Sequence, residues 1–519
     1  MPSTRNGTQK GAANGNSSGT RNGAHNGKPK KQLILNAFLM NTVGHLSPGL
    51  WKHPRNKTDQ YKRLSFWTDL AQLLDKAGFH SMFIADTLGA YDVYKGPHNF
   101  EPGLASGAQF PVNDPLYLVP AMAAVTKSLI FGVTASTTYD KPYALARRFS
   151  TVDHLTEGRV GWNIVTSYLE SAARNHGLDT QIEHDKRYEL ADEYMDVLYK
   201  LWEGSWQDGA VIADRKAGVY ATKGKVRNID HNGTYFTVPG PHICEPSPQR
   251  TPLLFQAGTS GAGRHFGAKH AEAIFIGGQT PEKARESVDA IRKLAKEQYG
   301  RDPYHIKIIA GISIIVAETD EAAKAKQQEL LSYGDREGAL TLFGGWCGID
   351  LSRFADDEDF KFSEVPSVRS VVNRWAETVP GSDNLPWTKS RIIDFLLLGG
   401  MMPKILGSPT TVADELERWA ELADVDGFNM SHQTNPGSFE DIIEFVLPEL
   451  RKRGLFRTEV EEDITAREQV FGQPGLLDDH YGYRFRWEAG KEKPNYLLEE
   501  NESEEKRPAK KRKVEANGH

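Results

Sequence analysis

Cysteine is nearly absent from this 519-residue sequence; the two present, Cys244 and Cys347, stand far apart. Two thiols build neither a disulfide framework nor a zinc cluster, so the core has to hold the fold, and a reducing compartment is the expected home. No apolar run approaches the ~18 residues that a membrane span needs. The longest, "IIAGISIIVA", falls well short. Strong positive charge is also missing. The formal net charge is −6, which argues against nucleic acid as the partner of the folded part. The first residues are polar, unlike a secretory leader. These absences predict a cytoplasmic protein with no membrane span and no metal site.

What is present divides into a large apolar middle and two polar ends. Residues 1–30, rich in Gly, Asn and Ser, have almost nothing to bury and are expected to form a disordered leader. Residues 481–519 form a charged tail in which an acidic block precedes "PAKKRKV". That basic cluster reads either as a solvated tail or as a nuclear-import address. The span 31–480 holds the fold.

Within that span, short apolar runs alternate with longer amphipathic ones. "QLILNAFLM", "SMFIAD", "LIFGVTASTTY", "VGWNIVTS", "TPLLFQAG", "EAIFIGG", "HIKIIAGISIIVA" and "GFNMSH" are each followed by helix-type sequence. Runs that are apolar on both faces fit a parallel sheet covered by helices. Eight β/α units predict an α/β fold, an eight-stranded parallel TIM barrel. Two inserts break the rhythm: one near 205–250 with hairpin character, the other near 334–408, expected to form a lid.

A parallel barrel carries its chemistry at the carboxyl ends of its strands. Polar residues gather there: Asp86, Thr137 and Thr138, Ser167 and Tyr168, Gly258 to Ser260, and His432. In "AGTSGAGRHFGAKHA" small residues precede a helix start, whose unpaired N–H groups suit a phosphate. Ser260 and Arg264 can assist there, although Ser260 can equally be a plain helix cap. His184 and Tyr188, four apart, share one helix face near the same end. Each has a bland alternative as a surface histidine or a half-buried core aromatic. Asp86 and Ser167 fix a ligand or stabilise their own turns. His45 and Tyr91 lie in loops over the mouth, where each either handles a proton or anchors its loop; Gln109 is similar.

Taken together, "NAFLMNTVGHLSPGLWKHP", "FIADTLGAYDVY", "EHDKRYELADEYM", "TPLLFQAGTSGAGRHFGAKHAE" and "DGFNMSH" resemble the flavin-dependent monooxygenases related to bacterial luciferase. The resembling subgroup includes nitrilotriacetate monooxygenase component A, dibenzothiophene-sulfone monooxygenase and long-chain alkane monooxygenase. The resemblance implies FMN at the open end of the barrel, held by Asp86, Thr137, Ser167, His184, Tyr188 and Ser260. It implies His45 and Tyr91 as catalytic residues, with Gln109 and Tyr168 on the substrate side. It further implies reduced FMN from a separate flavin reductase, a small organic substrate oxygenated with O2, and a homodimer. Alkane-oxidising members carry a cysteine after "MN" and a histidine after "VTS", where this chain has Thr42 and Tyr168. Two other readings compete: a barrel hydrolase, which needs two acidic residues at strand exits, and an inactive nuclear binding protein addressed by the basic cluster.

Overall fold

A computed structural model describes residues 31–258, 260–379 and 385–487. The expected leader, the basic cluster and Thr259 lie outside the described residues. Eight parallel strands close into a barrel: β1 (Ile34–Met40), β2 (Ser81–Ala85), β3 (Ile130–Ser136), β4 (Val160–Val165), β5 (Leu253–Gln256), β6 (Ala273–Ile276), β7 (Lys307–Val316) and β8 (Gly427–Ser431). Each pairs with its neighbours in sequence order, and β8 returns to β1 with Asn36 opposite Asn429. All eight apolar runs singled out in the sequence are barrel strands.

Strand parity sorts the side chains. Outward residues pack under helices such as Leu64–Ala77, whose Phe66, Trp67, Leu70, Ala71 and Leu74 are buried at helical spacing. Inward residues fill the barrel, where the rings of Phe83, Phe255 and Phe275 meet with centroids 4.1–5.6 Å apart. Gly161 makes room for them, since a Cβ there would stand 2.5 Å from the Phe255 ring. The barrel is a packed core below its mouth, so a ligand has to bind above it.

The lower end is closed by residues that follow the last strand. Thr465 and Glu468 form a capping box on the helix Ala466–Phe471. The first turn of that helix drives Arg467 into the base, where the guanidinium is fully buried. Its Nε and Nη2 donate to the Glu272 carboxylate at 2.7 and 2.9 Å, and the Nη groups reach the carbonyls of Thr251, Pro252 and Pro474 at 2.8–3.1 Å. Packing continues past the boundary expected at 480. A 3-10 turn, Tyr481–Phe485, lays the buried Phe485 against Tyr199.

Both inserts take the expected places. The first contains two short antiparallel pairs, Val211–Asp214 with Val219–Ala221 and His231–Asn232 with Thr237–Val238. The second pair is pinned by Glu193, which accepts the N–H groups of Thr234, Tyr235 and Phe236. The second insert carries the helices Arg336–Cys347, Pro366–Thr378 and Lys389–Leu396 around its own apolar cluster. A strand, Lys404–Gly407, then extends the sheet beside the outer half of β7.

Burial also sets an acid limit on the fold. His242, His270 and His432 are enclosed, and loss of solvation first of all brings each from 6.5 down to about 4. A base whose folded value is depressed stabilises the fold fully above its unfolded value, and that contribution is lost as pH falls through the folded one. Unfolding followed by tryptophan fluorescence is therefore expected to show a net loss of stability between pH 6.5 and 4, the three imidazoles outweighing the opposite slope of Asp86, whose carboxyl is pushed up to about 7. Stability that is flat across that window would contradict three neutral buried imidazoles.

A candidate flavin and substrate cavity at the barrel mouth

The carboxyl ends of β2 to β5 surround a cavity of about 480 Å³, within the usual range for a small-molecule site. Asp86 enters directly from β2. Ser136 from β3 and Ser167 from the exit of β4 share a hydrogen bond of 2.9 Å. Ser167 holds a left-handed backbone, φ 54°, an unusual conformation for a residue other than glycine. The apolar run Val160–Val165 gives way to polar residues where the strand reaches the rim of this cavity.

The opposite wall is the start of helix His184–Tyr199. His184 and Tyr188 both line the cavity, their rings 5.2 Å apart, and His184 Nδ1 lies 2.7 Å from Asp185. The Tyr188 hydroxyl reaches the loop after β5. A Cβ on Gly258 would stand 2.5 Å from that hydroxyl, and one on Gly263 would stand 2.8 Å away. Small residues at both positions let a phenol approach the N-terminus of the ten-residue helix Gly261–His270. The Ser260 side chain accepts from Gly263 N at 3.1 Å, so it is a helix cap at the edge of this cradle. The Tyr188 hydroxyl and the start of this helix thus lie together, a place suited to an anion; Ser260 and the first-turn residues do not themselves border the cavity.

Other expected residues fall elsewhere. Thr137 is buried behind the rim, with its N–H and hydroxyl both on the Val165 carbonyl, at 3.0 and 3.3 Å. His45 sits over β1 beside His432, ring centroids 5.8 Å apart. Burial first, and His432 second, hold its imidazole well below the usual histidine range, so it is neutral at pH 7. Thr42 is buried and donates to the Pro111 carbonyl at 2.6 Å. Tyr168, by contrast, lines the cavity and leads into a chain of hydrogen bonds. Its hydroxyl is 2.9 Å from that of Tyr91, which is 3.0 Å from Gln109 Oε1 and 3.1 Å from Trp346 Nε1. Tyr91 and Gln109 stand behind Tyr168 and do not themselves border the cavity.

Sequence reasoning missed several wall residues. Ser136 replaces Thr137, and strand parity from Gly132 and Thr134 would have found it. Arg187 lies at the i+3 position from His184 and on the same face, so helix spacing carried its signal. Arg148 pairs with Asp140 at 2.7 Å. Asp114 and Asp140 join Asp86 on the wall, and no spacing in the sequence announces either. Burial, with Asp114 next, pushes the Asp86 carboxyl up to about 7, against the Thr87 N–H that it accepts.

The fit to FMN can be tested on this geometry. Three lining side chains keep buried polar atoms without partners among the described residues, namely Arg148 Nε, Arg187 Nε and Gln256 Oε1. Buried polar atoms are normally satisfied, but these three are closed off from the cavity as well, so a ligand would reach them only if the side chains shifted; the fit rests on the groups that border the opening. Guanidinium groups, rim hydroxyls and the Tyr188 phenol meet the needs of a phosphorylated heterocycle. Among the described residues no group of His, Cys, Asp and Glu could hold a metal ion, and no helix is long and apolar enough to cross a membrane.

A closed parallel barrel with a polar cavity at the carboxyl ends of its strands is the architecture in which β/α-barrel enzymes place their active sites. A family model for luciferase-like monooxygenases matches residues 45–426. The long-chain alkane monooxygenase of Geobacillus thermodenitrificans is 48% identical over 458 residues, covering 88% of this chain and 98% of that protein. The dimethyl-sulfide monooxygenase of Hyphomicrobium sulfonivorans is 47% identical over 449 residues, or 86% of this chain and 92% of that one. A solved riboflavin lyase, crystallised with modified FMN and riboflavin, is similar with a TM-score of 0.80 at 36% identity, covering 88% of this chain and 100% of that one. The chain belongs to the luciferase-like monooxygenase family.

Proposed function

We propose that the chain binds reduced FMN in the β2–β5 cavity and uses O2 to oxygenate a small, neutral organic molecule, the reduced flavin coming from a separate reductase. The observation that carries this reading is the Tyr188 hydroxyl set between Gly258 and Gly263 at a helix N-terminus, the place for the FMN phosphate. Ser260 and the first-turn amides lie beside that end. Asp86, Ser136, Ser167 and His184 face the remainder of the cofactor. When bound, reduced FMN supplies the electrons that split O2, one oxygen atom going to substrate and the other to water.

The protein's own part is placement. Tyr168 meets Tyr91, which packs in an uncharged cluster with Leu169, Ala172, Leu342 and Trp346. Such a wall suits a sulfide- or alkane-like substrate better than a polycarboxylate. The second insert brings Trp346 to Tyr91 behind this wall, while Tyr168 itself is 48% exposed.

Anaerobic titration of the purified protein with reduced FMN is expected to show saturable binding. Oxygen and a general flavin reductase should then give substrate-dependent product from a panel of sulfides and alkanes. Absence of flavin binding overturns the reading. Charge at Asp86 gives a separate check. Above about pH 7 its carboxyl is ionised and opposes an anionic ligand, whereas below that value it is neutral. FMN affinity is therefore expected to weaken as pH rises from 6 to 8. Asp86→Asn should flatten this dependence relative to the parent and bind several-fold tighter at pH 8. An unchanged pH profile in Asp86→Asn would contradict it.

A further inference from the structure

We infer that Tyr168 offers the cavity a hydrogen-bond acceptor and no donor, its direction set by Gln109, and that this polarity disfavours substrates bearing an exposed oxygen acceptor. The inference rests on the substrate side proposed above. It follows from one amide that can be oriented without ambiguity. Gln109 Nε2 lies 3.0 Å from the His45 carbonyl oxygen. A carbonyl only accepts, so the NH2 group faces His45 and Oε1 faces Tyr91. Tyr91 therefore donates its one proton to Gln109. Burial raises the Tyr91 phenol above its usual range, and loss of solvation raises the Tyr168 hydroxyl as well, although that residue as a whole is 48% exposed; each keeps one proton at neutral pH.

The Tyr91 oxygen then has only lone pairs left. One accepts from Trp346 Nε1, a group that can only donate. The other meets the Tyr168 hydroxyl at 2.9 Å, and with Tyr91's proton committed, Tyr168 has to be the donor. Whatever reaches Tyr168 from the cavity finds lone pairs. Gln109 is held for this task at some backbone cost, with φ 52° and its N–H on the Gly44 carbonyl at 2.7 Å. A thioether or alkane presents no strong acceptor to Tyr168, whereas a sulfone, sulfonate or carboxylate oxygen does. Gln109 and Trp346 are in this view positioning residues, and Tyr168 determines specificity.

The test compares dissociation constants of diethyl sulfide and diethyl sulfone by ligand-observed NMR, with and without oxidised FMN, in the full chain. Differences in ligand solvation cancel when the sulfide-to-sulfone ratio is compared between variants. Gln109→Met removes the acceptor for Tyr91, which can then donate to Tyr168 and release the Tyr168 proton towards the cavity. The ratio is expected to shift towards sulfone on the order of tenfold, because an unmatched acceptor pair becomes a hydrogen bond. Gln109→Glu, protonated in this enclosed position, donates to His45 and still accepts from Tyr91, so the parent ratio should persist. Tyr168→Phe should shift it part of the way. The inference is overturned if Gln109→Met leaves the ratio unchanged, if Gln109→Glu shifts it equally, or if neither probe binds the parent protein. Failure of FMN to bind, seen in the same samples, would count against the proposed function instead.

Discussion

Gly258→Ala is expected to weaken FMN binding by about 10- to 100-fold, the cost of displacing one hydrogen-bond donor from a charged acceptor. The added methyl group would stand 2.5 Å from the Tyr188 hydroxyl and 2.3 Å from Gln256 Nε2. Neither contact is tolerable, so the phenol has to swing away from the helix start. Tyr188→Phe removes the same hydroxyl by a different route. The two substitutions should therefore be strongly non-additive, the double variant binding little worse than the poorer single one. Flavin fluorescence quenching measures all three affinities. Full additivity would show that Gly258 serves the loop alone and that Tyr188 does not depend on it.

Arg467→Ala is expected to cost about 3–5 kcal/mol of unfolding free energy, the range seen when one member of a buried ion pair is removed. The Glu272 carboxylate would be left 1% exposed, and the carbonyls of Thr251 and Pro252 would lose their donor. Denaturant unfolding compares this with Arg467→Lys, which keeps the charge but cannot bridge Glu272 and the carbonyls together. A loss below about 1 kcal/mol, the scale of exposed ion pairs, would mean that solvent reaches the base of the barrel.

The barrel was legible because its signal is local. Eight apolar runs, each leading into a helix-type stretch, were visible without tertiary information, and the polar residues at their ends marked the mouth. The place of Tyr188 on the cavity wall was also legible from helical spacing, whereas Ser260 caps the next helix and does not border the cavity. The remaining differences come from parity and packing. Whether Ser136 or Thr137 faces inward depends on where β3 ends, and a shift of one residue reverses the answer. His45 and Tyr91 were expected to face substrate because their loops overhang the mouth. The loops do so, but His45 turns towards His432 and Tyr91 towards Gln109, contacts that join distant parts of the sequence. Asp114, Asp140 and Arg148 reach the wall through loop and helix geometry that no spacing records. The base lock was invisible for the same reason, since Arg467 and Glu272 lie 195 residues apart.

The mouth draws on two parts of the chain. On the proposed function, what FMN would meet comes from β2 to β5 and the segments that follow them, and so does Tyr168. Trp346, which meets Tyr91 behind the substrate wall, comes from the insert between β7 and β8. Exchanging that insert between relatives should therefore alter what backs Tyr91 and Tyr168, and with it substrate preference, while leaving the β2–β5 side of the cavity as it is.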